Sequence, residues 1–312
     1  MESHFEVAII GGGPAGLAAA QVLGRQRRRV ILMDSRHGRN AAASQVHMLL
    51  GREGTTPAGL VFAGVQELAG LPSVSILAAE ASRILVADST VFVRAAAHDV
   101  TADFLILATG VVDELPPIQG IRAVFGKCLF PTPLSHGFEA RDEPLVVLGN
   151  SEHAAFMAAY VQDRISRDVQ LCSNGEPCFS RGTTARLHRN GIRIIEDEVE
   201  SIHAHADGLT LILGKSVAIT YRAGFVSSRY RQRSPLAQAL GCSLTEDGRV
   251  RVDHCQRTSV PLVFSVGDMA KAAQATGNMT FVATAIASGV TAAAFLDEDI
   301  FAKSWNSQDT SR

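Results

Sequence analysis

The sequence predicts an α/β protein built from two Rossmann-like nucleotide-binding domains, each with a three-layer ββα arrangement. Three observations carry that fold class. Residues 5–34 read as strand, glycine turn, Ala-rich helix and strand, and residues 143–175 repeat the same order. Two further apolar strands end in Ala-Thr-Gly and in Gly-Asp, the strand-end chemistry of a nucleotide site. At 312 residues the chain also has length for two hydrophobic cores, since domains run to roughly 100–200 residues.

The first unit is "FEVAIIGGGPAGLAAAQVLGRQRRRVILMD". Gly11, Gly13 and Gly16 form G-x-G-x-x-G: a tight turn, close backbone approach to a pyrophosphate, and close packing of helix on strand. Pro14 and Ala15 open the helix whose N-terminus would face the phosphates. Asp34 ends the next strand about 20 residues on, where a carboxylate accepts hydrogen bonds from ribose hydroxyls. The basic cluster Arg25 and Arg27–Arg29 follows the helix and is expected to complement its dipole.

Two later pieces fit a flavin. "DFLILATG" places Ala108, Thr109 and Gly110 at a strand end, and "VPLVFSVGDMA" places Gly267 and Asp268 at another. The Ala-rich helix "TFVATAIASGVTAAAFL" follows, leaving room for a ribityl chain held by Asp268 and a ring edge at the helix N-terminus. FAD is the expected cofactor.

The second unit, "EPLVVLGNSEHAAFMAAYVQDRISRDVQLCSNG", has Gly149 and Ala154 at the first and third glycine positions but Ser151 at the second. A Cβ there obstructs a pyrophosphate, Glu152 adds a like charge, and Cys172-Ser173-Asn174 lacks the arginines that grip a 2′-phosphate. NADPH binding is not expected, and this domain reads as degenerate.

The ordered set GGGPAG, ATG, GD and closing Ala-rich helix resembles the low-molecular-weight thioredoxin reductase family over almost the whole chain. The stretches "DSRHGRNAAASQVHMLLGREGTTPAGL", "ATGVVDELPPIQG", "HGFE" and "RQRSPLAQALGCSLTEDGRVRVD" resemble its dithiol-oxidase branch, the gliotoxin and holomycin oxidases of natural-product pathways. The resemblance implies a discontinuous FAD domain, 1–117 plus 246–312, an inserted NAD(P)H-binding-like domain at 118–245, and a homodimer. In that branch a C-x-x-C precedes His-Gly and an acid. In "CLFPTPLSHGFE", aligned on His136-Gly137, Thr132 and Ser135 stand at the two cysteine positions. A hydroxyl keeps the volume of a thiol but cannot exchange with disulfides. Cys128 has no partner in the segment and reads as a small buried hydrophobe.

The resemblance puts His136 near the flavin and His47 on the substrate side, with Glu139 available to orient His136. These three are the candidate catalytic residues, because an imidazole titrating near pH 6.5 suits proton abstraction. The leading reading is an FAD-dependent oxidase acting on a small natural-product-type metabolite directly at the flavin, with oxygen as acceptor and neither redox disulfide nor NADPH. Two alternatives stand beside it: a non-catalytic FAD-binding scaffold, and a dithiol oxidase whose substrate supplies the thiols. The five cysteines show neither C-x-x-C nor zinc spacing, so no metal is expected. A net charge of −2 gives no cause to expect nucleic acid, and no apolar run reaches the ~20 residues of a membrane span. With no secretory signal pattern, the expected location is cytoplasmic.

Overall fold

The computed structural model describes residues 3–274 and 279–309. Two compact units emerge, one comprising 1–41, 57–112 and 231–312, the other 42–56 and 113–230. The sequence-based boundaries were 117 and 246, with residues 42–56 in the FAD domain.

The first unit is a sheet with strand order Val74–Leu77, Val30–Met33, Ser3–Ile10, His98–Leu107, Thr90–Ala95 and Ala81–Ala87. Val263–Ser265 pairs parallel with His98–Leu107. The central strands are parallel and buried on both sides, which is why "VAII", "VILM" and "LIL" are unbroken apolar runs rather than alternating ones. The Thr90–Ala95 strand is antiparallel to its neighbours, and its burial alternates accordingly.

Two helices cover this sheet's core. Pro14–Arg25 has proline in its first turn, where a missing N–H costs nothing. Val282–Asp309 packs against it through small residues, with Ala15, Ala19, Ala292 and Ala293 in one core cluster. A Cβ built on Gly289 would lie 2.1 Å from the Ala15 carbonyl oxygen, so the two backbones come together where only glycine fits.

The basic cluster after the first helix does more than complement a dipole. Arg25 lies in the last turn, but the Arg28 guanidinium bonds Glu6 of the first strand and Asp297 of the last helix at 2.9 and 2.6 Å. It is a three-element tie. Among the described residues, no helix is long and apolar enough to cross a membrane.

The second unit has a parallel five-stranded sheet, ordered Arg193–Ile195, Val169–Cys172, Leu145–Leu148, Ala223–Val226 and Leu129–Phe130. An antiparallel three-stranded layer, Val199–His205, Gly208–Leu213 and Val217–Tyr221, shares a core cluster with it, and the helix Glu152–Arg164 covers another face. Sheet, second sheet and helix make the three layers that the sequence predicts.

Candidate functional site

In the first unit, the turn after the first strand meets the ends of its neighbours. Gly11 has φ +112° and its absent Cβ would stand 2.3 Å from the Ala108 carbonyl oxygen, so the turn closes directly on Ala108-Thr109-Gly110. A Cβ on Gly16 would lie 1.9 Å from the Gly11 carbonyl oxygen. Gly13 differs: a Cβ there meets nothing within 4 Å. Two glycines serve packing, and the third borders open space at the helix N-terminus. Asp34 accepts a hydrogen bond from the Gly12 N–H at 3.0 Å, fixing the acid beside that turn.

Gly267 (φ +73°) donates its N–H to Ser288 Oγ at 2.8 Å, tying the Gly-Asp turn to the last helix. The Thr109 N–H and hydroxyl both point at Met269 Sδ. Arg39 donates to Asp268 Oδ2 at 2.8 Å, with both side chains about four-fifths buried. Arg39 was not singled out from the sequence. A partner 229 residues away leaves no local signal, although the loop after an acid-ending strand is the place to look for one. Clear space at Gly13, an acid at Asp34 and a second acid at Asp268 fit a dinucleotide with pyrophosphate and polyol ends.

In the second unit, the glycine turn is closed from within. Ser151 caps the helix Glu152–Arg164 by accepting from the Ala154 N–H at 3.1 Å. The Asn150 amide bridges to the Glu176 carbonyl and the Cys178 N–H at 2.8 and 2.6 Å. The Glu152 carboxylate accepts from the Ser180 N–H and Thr183 Oγ1, both at 2.7 Å, and these bonds lower its pKa. The start of a second helix thus takes the charge of Glu152, and the Ala154 N–H at this turn is taken by Ser151.

The same unit brings His136, His47 and Glu139 together. Pro133–His136 is a single helical turn capped by Thr132, whose hydroxyl accepts from the Leu134 N–H at 3.3 Å. Both hydroxyls are engaged, Thr132 as this cap and Ser135 bonded to His136 Nδ1 at 2.8 Å. The His136 ring stacks on Phe130 (4.1 Å, 10°) and meets the His47 ring edge-on at 5.1 Å. Its Nε2 is buried without a hydrogen-bond partner among the described residues. Burial lowers the His136 pKa below 6.5, helped by charge on His47 and opposed by Glu139 and the Gln45 carbonyl. The imidazole is therefore neutral near pH 7.

Glu139 does not orient His136 as expected. It approaches His47 Nδ1 at 3.6 Å, while Ser135 occupies the orienting position on His136. His47 Nδ1–H donates to Glu53, which also accepts from the Met48 N–H at 3.0 Å. Glu53 escaped the sequence reading because nothing in its spacing separates it from a solvated loop acid. His47, Glu53 and Glu139 present ligand-type atoms to one another, both carboxylates are exposed, and the contacts are a hydrogen bond to Glu53 and a longer ion pair to Glu139. Cys128 is half-buried with Sγ toward the Val124 carbonyl, and burial pushes its thiol pKa up, away from redox use.

Two Rossmann-type units, the first with a glycine turn clear at its helix N-terminus, are the architecture of a dinucleotide-binding protein. The chain belongs to the pyridine nucleotide-disulphide oxidoreductase family, whose profile matches residues 5–289. It is 32% identical over 282 residues to "Thioredoxin reductase tcpT" of Claviceps purpurea, covering 83% of this chain and 85% of that protein. Similarity to "Probable thioredoxin reductase" of Arthroderma benhamiae, 32% over 187 residues, covers 56% of this chain and only 45% of that protein. The crystal structure of HlmI superposes with TM-score 0.90 at 30% identity, covering 99% of this chain and 96% of that one. These relatives support the gliotoxin-type branch of thioredoxin reductase-like flavoproteins, and FAD is the cofactor.

Proposed function

We propose that this protein is an FAD-dependent oxidase that oxidises a small natural-product-type metabolite directly, using neither a protein dithiol nor NADPH, with oxygen as the final acceptor. We further infer that Gly11, Gly13, Pro14, Ala15, Gly16, Asp34, Ala108, Thr109, Gly110, Gly267 and Asp268 hold FAD in the first unit, and that the chain works as a homodimer. Bound FAD supplies a two-electron acceptor that oxygen can recharge. The chain supplies a base. One observation carries the reading: His136 is buried, its Nε2 makes no hydrogen bond of ordinary geometry among the described residues, and the Ser135 hydroxyl holds its Nδ1.

His136 takes the substrate proton at that nitrogen. The Ser135 hydroxyl stays on Nδ1 throughout, and Phe130 keeps one ring face dry. Glu139 offsets the charge the ring acquires, since its carboxylate favours the protonated form. His47, held by Glu53, fixes the other edge. The self-bonded turn at Asn150, Ser151 and Glu152 supports independence from NADPH.

Anaerobic spectroscopy with a panel of thiols, amines and alcohols tests this function. A productive substrate should bleach the flavin, and His136→Ala should slow that reduction by about 10²–10⁴-fold, the range for loss of a general base, while FAD stays bound. Equal rates in parent and variant would remove His136 from the mechanism. A panel that reduces nothing would favour the scaffold reading, and reduction by thiols alone would favour a dithiol oxidase.

A further inference from the structure

A neutral imidazole carries one N–H, and its position decides what His136 can do. Ser135 Oγ lies 2.8 Å from Nδ1, and two arrangements satisfy that distance. In one, the serine hydroxyl donates to a bare Nδ1, which puts the ring proton on Nε2. That nitrogen is buried and makes no hydrogen bond of ordinary geometry among the described residues, the Gln45 carbonyl near the ring falling outside it, so this arrangement leaves a poorly satisfied buried N–H. In the other, Nδ1–H donates to the serine oxygen, and Nε2 is left as an unengaged lone pair. Buried donors without acceptors are rarer in folded proteins than under-used acceptors. The second arrangement is the better one.

We propose that Ser135 is a positioning residue that locks His136 in the Nδ1–H tautomer, leaving Nε2 as the bare basic nitrogen. This deepens the proposed function and rests on His136 as the base. The surroundings reinforce the lock. Phe130 stacks against the ring face at 4.1 Å and 10°, which holds the imidazole in one plane, and a half-turn within that plane would take Nδ1 away from Ser135. The His47 ring stands edge-on to it, interplanar 88°, and is itself held by Glu53 and Glu139. The charged and titratable groups around the ring are therefore His47 and Glu139, with Glu53 acting through His47.

The consequence for chemistry is simple. A bond forms between Nε2 and the substrate proton, the bond from that proton to its donor atom breaks, and the bonding pair stays with the donor atom. The imidazolium that results still donates Nδ1–H to Ser135, so the step needs no rearrangement of the ring's other hydrogen bond. A tautomer with hydrogen on Nε2 could not take the proton there at all. The hydroxyl at the former sulfur position has lost redox chemistry and kept the one service it can give, a hydrogen bond to the base.

Long-range ¹H–¹⁵N NMR on the FAD-loaded full chain with ¹⁵N-labelled histidine tests the lock without any substrate. At pH 7.5 the His136 signals, assigned by their disappearance in His136→Gln, should show Nδ1 protonated and Nε2 bare. Ser135→Ala should shift the ring toward the Nε2–H form, and Ser135→Thr, which restores the hydroxyl, should return it. A protonated Nε2 in the parent protein would overturn the proposal, as would a Ser135→Ala spectrum identical to the parent's. Should Ser135→Ala fail to fold, the parent spectrum alone decides. The two ideas fail separately: an intact lock with unchanged flavin reduction in His136→Ala would sink the catalytic reading and leave the tautomer assignment standing.

Discussion

At Thr132 and Ser135 side-chain hydroxyls hold local structure, one as a helix cap and one on His136 Nδ1, and the same residue-level logic runs through both units. At the cofactor site the informative residue is Gly13. Its missing side chain borders open space, unlike those of Gly11 and Gly16, so Gly13→Val should fold and yet lose the pyrophosphate's place. The expected product is folded but colourless protein, checked by circular dichroism and flavin absorbance; a full complement of FAD would misplace the site. Arg39 is the second informative position. Removing one partner of a part-buried charged hydrogen bond costs about 1.5–3 kcal/mol. Arg39→Ala should therefore weaken FAD retention roughly 10- to 100-fold by loosening Asp268, with Arg39→Lys intermediate; a fluorescence titration of FAD into the apoprotein measures it.

His136 also gives a pH dependence with a definite sign. Burial holds its folded pKa below the ordinary 6.5, so as pH falls the unfolded chain takes the proton first. The stability tied to a neutral His136 is complete above about pH 6.5 and is lost as pH drops from there toward the lowered folded value. Denaturant unfolding at pH 7.5 and 5.5 should show a larger acid loss in the parent than in His136→Gln. An equal loss would mean that other groups account for it.

At the scale of elements, the first unit depends on the close approach of Pro14–Arg25 and Val282–Asp309 at Gly289. Adding a side chain there drives it into the Ala15 carbonyl, and Gly289→Val should cost about 1–3 kcal/mol or more by overpacking. A thermal melt several degrees lower, with FAD lost at lower temperature, is the expected result; an unchanged melt would show that the helices can part freely. Much of this architecture was legible. Apolar runs without alternation gave the buried parallel strands, and glycine spacing gave the turn of each repeat. Ser151, an expected obstruction at the pyrophosphate position, is also the helix cap, because a side chain at a helix N-terminus finds the free N–H groups first. What could not be read were contacts between distant polar residues. Arg39 with Asp268, Arg28 with Asp297, and Glu53 with His47 depend on where loops travel, and side-chain spacing along the chain carries no record of that. The segment 42–56 shows the same limit: it was assigned with its sequence neighbours and packs with the second unit, where Val46 bridges Thr55 and His47 meets His136.

For the whole molecule, the first unit has clear space at Gly13 on its helix N-terminus, while the turn of the second bonds within itself at Ser151 and Glu152. On the function proposed above, such a chain draws electrons from its substrate rather than from a nicotinamide, and Thr132 and Ser135 offer no sulfur for a disulphide step. Stopped-flow mixing of the FAD-loaded protein with NADPH, NADH and the metabolite panel, all without oxygen, tests this most directly. The expected result is a flavin that stays oxidised with either nucleotide, bleaches with a protic metabolite, and recovers its colour when oxygen is admitted. Rapid bleaching by NADPH or NADH would contradict the account.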